Sequence, residues 1–183
     1  MRARKTGTTI RIDRGGPVRQ SFAMRMTVVL LVLAVLGAPA FGADWGHYRN
    51  ERFRLEAEVP PGFLPGDPPA NGDGLSFRSG GASLTIAGSL LIEGAFEAAV
   101  RQQIGFDAQE HWAVTDQRVT PSWASWSGVL SGHILYVRAI PICGGAGIGT
   151  LRLTYAETDI AAFDPVIDRL VRSLRDSGEG WQC

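Results

Sequence analysis

The chain has 183 residues, 18 basic and 18 acidic, is 45% hydrophobic and contains only two cysteines. That length suits one domain rather than a large multidomain enzyme, and the ordinary hydrophobic content argues against wholesale disorder and against a multi-span membrane protein. The zero net charge averages two unlike parts: residues 1–42 hold seven basic residues and one acid, and the remainder is net −6 with no lysine. Such an acidic body argues against nucleic-acid binding, which needs a positive field to displace counterions.

The first element in chain order is the apolar run Thr27 to Ala38, 12 residues preceded by Arg25 and followed by small residues. As a helix it reaches only about 18 Å against a hydrocarbon layer of roughly 30 Å, so it reads as the core of a signal peptide and not as a retained span. The expected mature start is near Ala43. A 42-residue leader is long, which points to Met24 or Met26 as the true start of translation. No cysteine follows the run and no Arg-Arg pair precedes it, leaving general secretion rather than lipoprotein or twin-arginine export. The expectation is a periplasmic or secreted product: residues 43–183 as one domain, with no stable membrane span after cleavage. Its two thiols, Cys143 and Cys183, can then pair in an oxidising compartment, closing a loop of roughly 40 residues for about 4 kcal/mol.

Arg52 to Val59 alternates strictly between apolar and charged residues, which predicts a strand with one wet face and hence an antiparallel sheet. Pro60-Pro61-Gly62 ends it. A Pro/Gly-rich loop runs from Phe63 to Gly74, and strands at Leu75 to Ser79 and Ser83 to Leu90 flank a hairpin at Gly80-Gly81. Gly94 to Glu110 has helical spacing, with Glu93 and Glu97 in the first turn and His111 at the end. Extended segments at 112–119, 123–130, 133–142 and 148–155 follow with short connections, an antiparallel meander. The last helix is expected to start with Asp164 as N-cap and Pro165 at its first position, its apolar stripe being Val166, Ile167, Leu170, Val171 and Leu174. This order predicts an α+β fold: an antiparallel sheet of about six to seven strands packed by two main helices.

Two stretches, Trp45-Gly46-His47-Tyr48-Arg49-Asn50-Glu51-Arg52-Phe53 and Asn71-Gly72-Asp73-Gly74-Leu75-Ser76-Phe77, resemble a group of small, uncharacterised secreted bacterial proteins. With the ending Phe163 to Arg175, that likeness spans most of residues 45–175. The order of strands and helices is similar to the α/β sandwich of the photosystem II extrinsic protein PsbP and the Ran-binding Mog proteins. That resemblance implies a binding role in place of catalysis, and no functional residue carries over from it.

Candidate chemistry is sparse. Asp107 and His111, one helical turn apart, with Glu110 make the best local metal group, yet a solvated helix end explains them as well. Asp67, Asn71 and Asp73 invite calcium but lack its spacing and the glutamate at the twelfth position; Asn-Gly and Asp-Gly turns account for them. Gly144 to Gly149 lacks both the G-x-G-x-x-G spacing and a following helix, so it reads as a hairpin connection. Serines 122, 125, 127 and 131 lie near His133, which keeps open a small serine hydrolase using Ser131 and His133, although no G-x-S-x-G elbow exists. Of the five tryptophans, Trp123 and Trp126 fall on opposite faces of a regular strand, and core packing is the expected role for the set. In-register pairing of the last two long strands would gather Tyr136, Arg138, Arg152 and Thr154 on one face, a possible receptor for a carboxylate or an acidic partner. No motif asks for a cofactor or a metal. The leading reading is an exported, non-catalytic binding or accessory module of the cell envelope whose partner is an envelope protein or small ligand; the alternatives are the Ser131/His133 hydrolase and a purely structural envelope protein.

Overall fold

The structure is a computed structural model that describes residues 44–92 and 94–178. All described residues belong to one compact unit. The export segment, Glu93, Trp181 and Cys183 lie outside the described residues.

The strands are β1 (Gly46–Asn50), β2 (Leu55–Val59), β3 (Leu64–Pro65), β4 (Gly74–Ser79), β5 (Ala82–Leu90), β6 (Ala113–Val119), β7 (Ala124–Leu130), β8 (His133–Ile142), β9 (Gly147–Ala156) and β10 (Arg175–Asp176); the helices are α1 (Phe96–Gln109) and α2 (Ile160–Ser173). Seven strands form one antiparallel sheet in the order β3-β4-β5-β9-β8-β7-β6, and β1-β2-β10 form a second, smaller sheet. The α+β expectation of an antiparallel sheet with two helices holds. The separate three-stranded layer, and β1 within it, were not legible from the alternation at 52–59 alone.

Strand parity explains the layers. One face of the large sheet carries Leu84, Ile86, Leu151, Leu153 and Tyr155, which pack with Leu55, Ala57 and Val59 of β2 and Leu170 and Leu174 of α2 and its end. The other face carries Trp126, Leu135, Val137, Ala139 and Ile148, which pack against Phe96, Val100 and Ile104 of α1. A side chain's face is therefore fixed by odd or even position along its strand.

The small sheet seats closely because Gly88 and Gly149 stand directly opposite each other on adjacent strands. Cβ atoms added there would lie 2.5 Å from Phe53 Cγ and 2.6 Å from Leu55 Cδ1 respectively, so the missing side chains form a notch that β2 and its approach fill. The two stretches that prompted the family resemblance meet beside it. Phe53 N–H donates to Asn50 Oδ1 at 2.8 Å, Asn50 Nδ2 donates to Gly72 O at 2.9 Å, and Arg52 Nη1 donates to Asn71 O at 2.8 Å. Gly72 has φ 67°, so the Asn-Gly turn needs its glycine. Those motifs fix architecture.

The final helix departs from expectation. It begins at Ile160 with Asp159 in the N-cap position, so Asp164 and Pro165 lie inside it. Pro165 forfeits only the hydrogen bond to the carbonyl of exposed Ala161, which water can satisfy, and a 3-10 turn at Glu157–Asp159 starts the winding early. The apolar stripe keeps its predicted direction: Leu170 is fully buried, Val166 and Ile167 pack on the same core, and Phe163 stacks on Tyr155 at 4.4 Å.

Candidate binding trough on the open face of the sheet

The β1-β2-β10 layer and α2 cover only part of their face of the large sheet, leaving the side chains of β6 and β7 and part of β8 on that face open or half-buried. Registers across these strands define two rows. Arg118 stands opposite Ser125 and Ser125 opposite Arg138; one step along, Asp116 stands opposite Ser127 and Ser127 opposite Tyr136. Strands about 4.8 Å apart place the two arginine Cα atoms roughly 10 Å apart across a middle strand of small hydroxyl residues. The result is a trough with a serine floor, walled by Arg118 and Asp116 on one side and by Arg138 and Tyr136 on the other.

Trp123 closes one end. The Arg138 guanidinium carbon lies 4.2 Å from the centre of its ring, and that of Arg118 lies 5.5 Å away. Both cations are held by the indole's electron-rich face rather than by a carboxylate, and neither makes an ion pair among the described residues. The Nε of Arg138 is buried and has no hydrogen-bond partner among the described residues. Burial also draws the Arg138 guanidinium below its usual pKa, opposed by the field of Tyr136. The Tyr136 phenol is pushed up, chiefly by burial, while Arg138 and a hydrogen bond with Ser125 pull the other way. The two guanidinium groups thus share one indole and have no carboxylate partner among the described residues.

The register splits the face expected from sequence. Val137, not Tyr136, stands opposite Arg152, and Leu135 stands opposite Thr154. Pairing is offset by one residue from the co-facial arrangement, so Arg152 and Thr154 project to the α1 side. There Arg152 is committed: its Nη1 pairs with Asp107 Oδ1 at 2.6 Å, and the other oxygen of that carboxylate accepts from Trp126 Nε1 at 2.6 Å. Asp107 is only 3% exposed, and these two partners tie α1 to the sheet. Its carboxylate is thus engaged away from the metal role weighed with Glu110 and His111; no group of three or more metal-type ligands occurs among the described residues.

The remaining candidates disperse. Ser131 has φ 50° and forms a tight turn with Gly132, and His133 Nδ1 lies 3.3 Å from the main-chain carbonyl of Ser131 rather than from its hydroxyl. No acid pairs with His133 among the described residues, so the hydrolase arrangement is not assembled. Asn71 Nδ2 donates to Asp73 Oδ2 at 2.7 Å, closing the turn where calcium was weighed. Gly144 and Gly145 have φ 64° and 94° in the connection from β8 to β9, as a hairpin reading requires. Cys143 is buried there, and its N–H donates to Asp176 Oδ2 at 3.0 Å. Trp126 is core as expected, whereas Trp123 is only half-buried and lies beside Arg138 and Arg118. Sequence reasoning missed Arg118 and Trp123 because their role depends on register across three strands. The only early sign was the run of serines at alternate positions between bulky neighbours.

No family model matches the chain, and no curated protein matches it by sequence. Its fold is similar to the solution structure of cyanobacterial PsbP (CyanoP) from Synechocystis sp. PCC 6803, with TM-score 0.55 and 13% identity over 76% of this chain and 96% of that one. It is also similar to the Ran-binding protein Mog1p of Saccharomyces cerevisiae, with TM-score 0.54 and 10% identity over 73% of this chain and 96% of that one. At such identities the likeness establishes a shared PsbP/Mog-like architecture.

Proposed function

We propose that this protein is an exported binding or accessory module of the cell envelope, non-catalytic, and that the trough walled by Arg118, Arg138, Trp123 and Tyr136 takes a carboxylate of its ligand or partner. The observation that carries this reading is Arg138: half-buried, stacked on an indole, with a buried Nε that no acceptor among the described residues satisfies. A structural arginine in a domain of net −6 has acids to pair with, as Arg49, Arg152, Arg169 and Arg175 all do. Leaving this one desolvated and unpaired has a cost that a bound anion offsets. One of the two similar folds belongs to a protein named for binding another protein, which agrees with a binding role.

Export is part of the same proposal and rests on the apolar run and small residues before Ala43. So does the Cys143–Cys183 bridge. The bond from Cys143 N–H to Asp176 holds the chain beside Cys143 at a point seven residues before Cys183 in sequence.

Affinity capture from periplasmic extract tests the reading. The wild-type chain is expected to retain a stoichiometric partner or ligand that Arg138→Gln loses, with both proteins equally folded. Equal recovery by the two would refute the trough, and full-length chain in the cytosol with its leader attached would refute export.

A further inference from the structure

The outward face of the three-stranded sheet carries a second basic site, independent of the trough. Register places His47 opposite Glu58 and Arg49 opposite Glu56 on β1 and β2, and Arg175 of β10 opposite Glu56 from the other side. The last turns of α2 bring Arg169, Arg172 and Ser173 to the same place. Between them lies a cleft of about 560 Å³ lined by His47, Glu58, Arg169, Arg172, Ser173 and Arg175.

The acids here are already engaged. Both oxygens of Glu58 accept from Arg169, at 2.6 and 2.8 Å. Buried Glu56 accepts from Arg49 at 2.7 Å and from Arg175, with His47 Nε2 a further neighbour at 3.6 Å. The Ser173 hydroxyl donates to Leu170 O and accepts from Glu58 N–H. Arg172 is exposed on this cleft and has no ion pair among the described residues. Four arginines, 49, 169, 172 and 175, face three glutamates, 51, 56 and 58, before His47 is counted. This local surplus sits within a domain whose net charge is negative.

We propose that this cleft is a site for a small phosphate-class dianion, inorganic phosphate or a phosphate monoester. Arg172 supplies the free charge, and Arg175 and His47 supply further donors from the opposite wall. Donors converging from a helix and two strands suit a tetrahedral group with oxygens in several directions, whereas the trough's paired guanidinium groups suit a planar one. The ion pairs to Glu56 and Glu58 then act as positioning contacts that keep Arg169 and Arg175 extended along the cleft walls.

Calorimetric titration of the full chain with inorganic phosphate, and separately with glycerol phosphate, at ionic strength held constant with sodium chloride, tests this. Saturable binding is expected, weakened about tenfold by Arg172→Gln, as loss of one charge-assisted contact implies. Arg138→Gln is expected to leave it unchanged, which separates this site from the trough. Arg172 has no ion pair among the described residues, so its variant is expected to fold, which a far-ultraviolet dichroism spectrum matching wild type verifies. Binding of the monoester but not of phosphate, or the reverse, identifies which form the cleft takes. Absence of saturable heat with both ligands, or equal affinity in Arg172→Gln and wild type, overturns the proposal.

Discussion

Gly149→Ala is the sharpest probe of how the two sheets meet. The added methyl would lie 2.6 Å from Leu55 Cδ1, 3.1 Å from Ile142 Cγ2 and 3.3 Å from Leu55 Cδ2. Leu55 and Ile142 are at most 1% exposed, so neither has free space to move into. Overpacking of this kind costs about 1–3 kcal/mol. Leu55→Ala alone opens a cavity and costs about 2–5 kcal/mol. Together the changes compensate: the alanine methyl at 149 enters space vacated by the leucine methyls. The double variant is therefore expected to be more stable than the sum of the two losses predicts by at least about 1 kcal/mol. Urea denaturation followed by tryptophan fluorescence gives the three free energies, provided the slope m stays constant across the set. Additivity within about 0.3 kcal/mol would show that β2 does not sit in the Gly88–Gly149 notch, and the layer arrangement would be wrong.

Other consequences follow from single contacts. Asp107→Ala strips the acceptor from buried Trp126 Nε1 and the counter-charge from Arg152, and should cost about 3–5 kcal/mol in urea denaturation, while Asp107→Asn, which keeps an acceptor, should cost less. Glu56 and Glu58 both have pKa values below the ordinary 4.5: at Glu56 burial pushes upward but contacts with Ser177, Arg175 and Arg49 outweigh it, and at Glu58 the hydrogen bond from Arg169 dominates. Because the folded domain holds these protons more weakly than the unfolded chain, their stabilisation is complete above the unfolded value and is lost as pH falls through the lowered folded values. Thermal melts from pH 7 to pH 3 should show a steep acid decline that Glu56→Gln flattens; an unchanged slope would count against the ion-pair face. Reduction of the exported protein should lower its stability by roughly 4 kcal/mol in the chain-entropy model, and two free thiols under denaturing, non-reducing conditions would remove the bridge.

Much of the fold was legible because its elements declare themselves locally. The alternation at 52–59, the Gly80-Gly81 hairpin and the serial strands from 112 to 155 are period-two patterns bounded by turn residues, and they lie close to the observed strands. The helix start at Ile160 was obscured because Asp-Pro is a strong local cue that tertiary packing of Phe163 on Tyr155 overrides. The binding face was legible only in part. Tyr136 and Arg138 share a face by parity on one strand, which a sequence reveals, whereas their relation to Arg152 depends on cross-strand register. A shift of one residue reverses that relation. Arg118 on β6 and Trp123 in the turn between β6 and β7 complete the trough, and only the alternate serines nearby hint at them.

The proposed trough stands or falls on Arg138, whose Nε is buried with no hydrogen-bond partner among the described residues. Nitrogen-15 spectra recorded while titrating a hexaglutamate peptide into the chain observe that atom directly. The Arg138 Nε–H and Trp123 Nε1–H resonances are expected to move together and saturably, and Arg138→Gln to abolish the Trp123 response. Resonances that stay fixed while the peptide binds elsewhere, or a Trp123 response that survives the substitution, would contradict it.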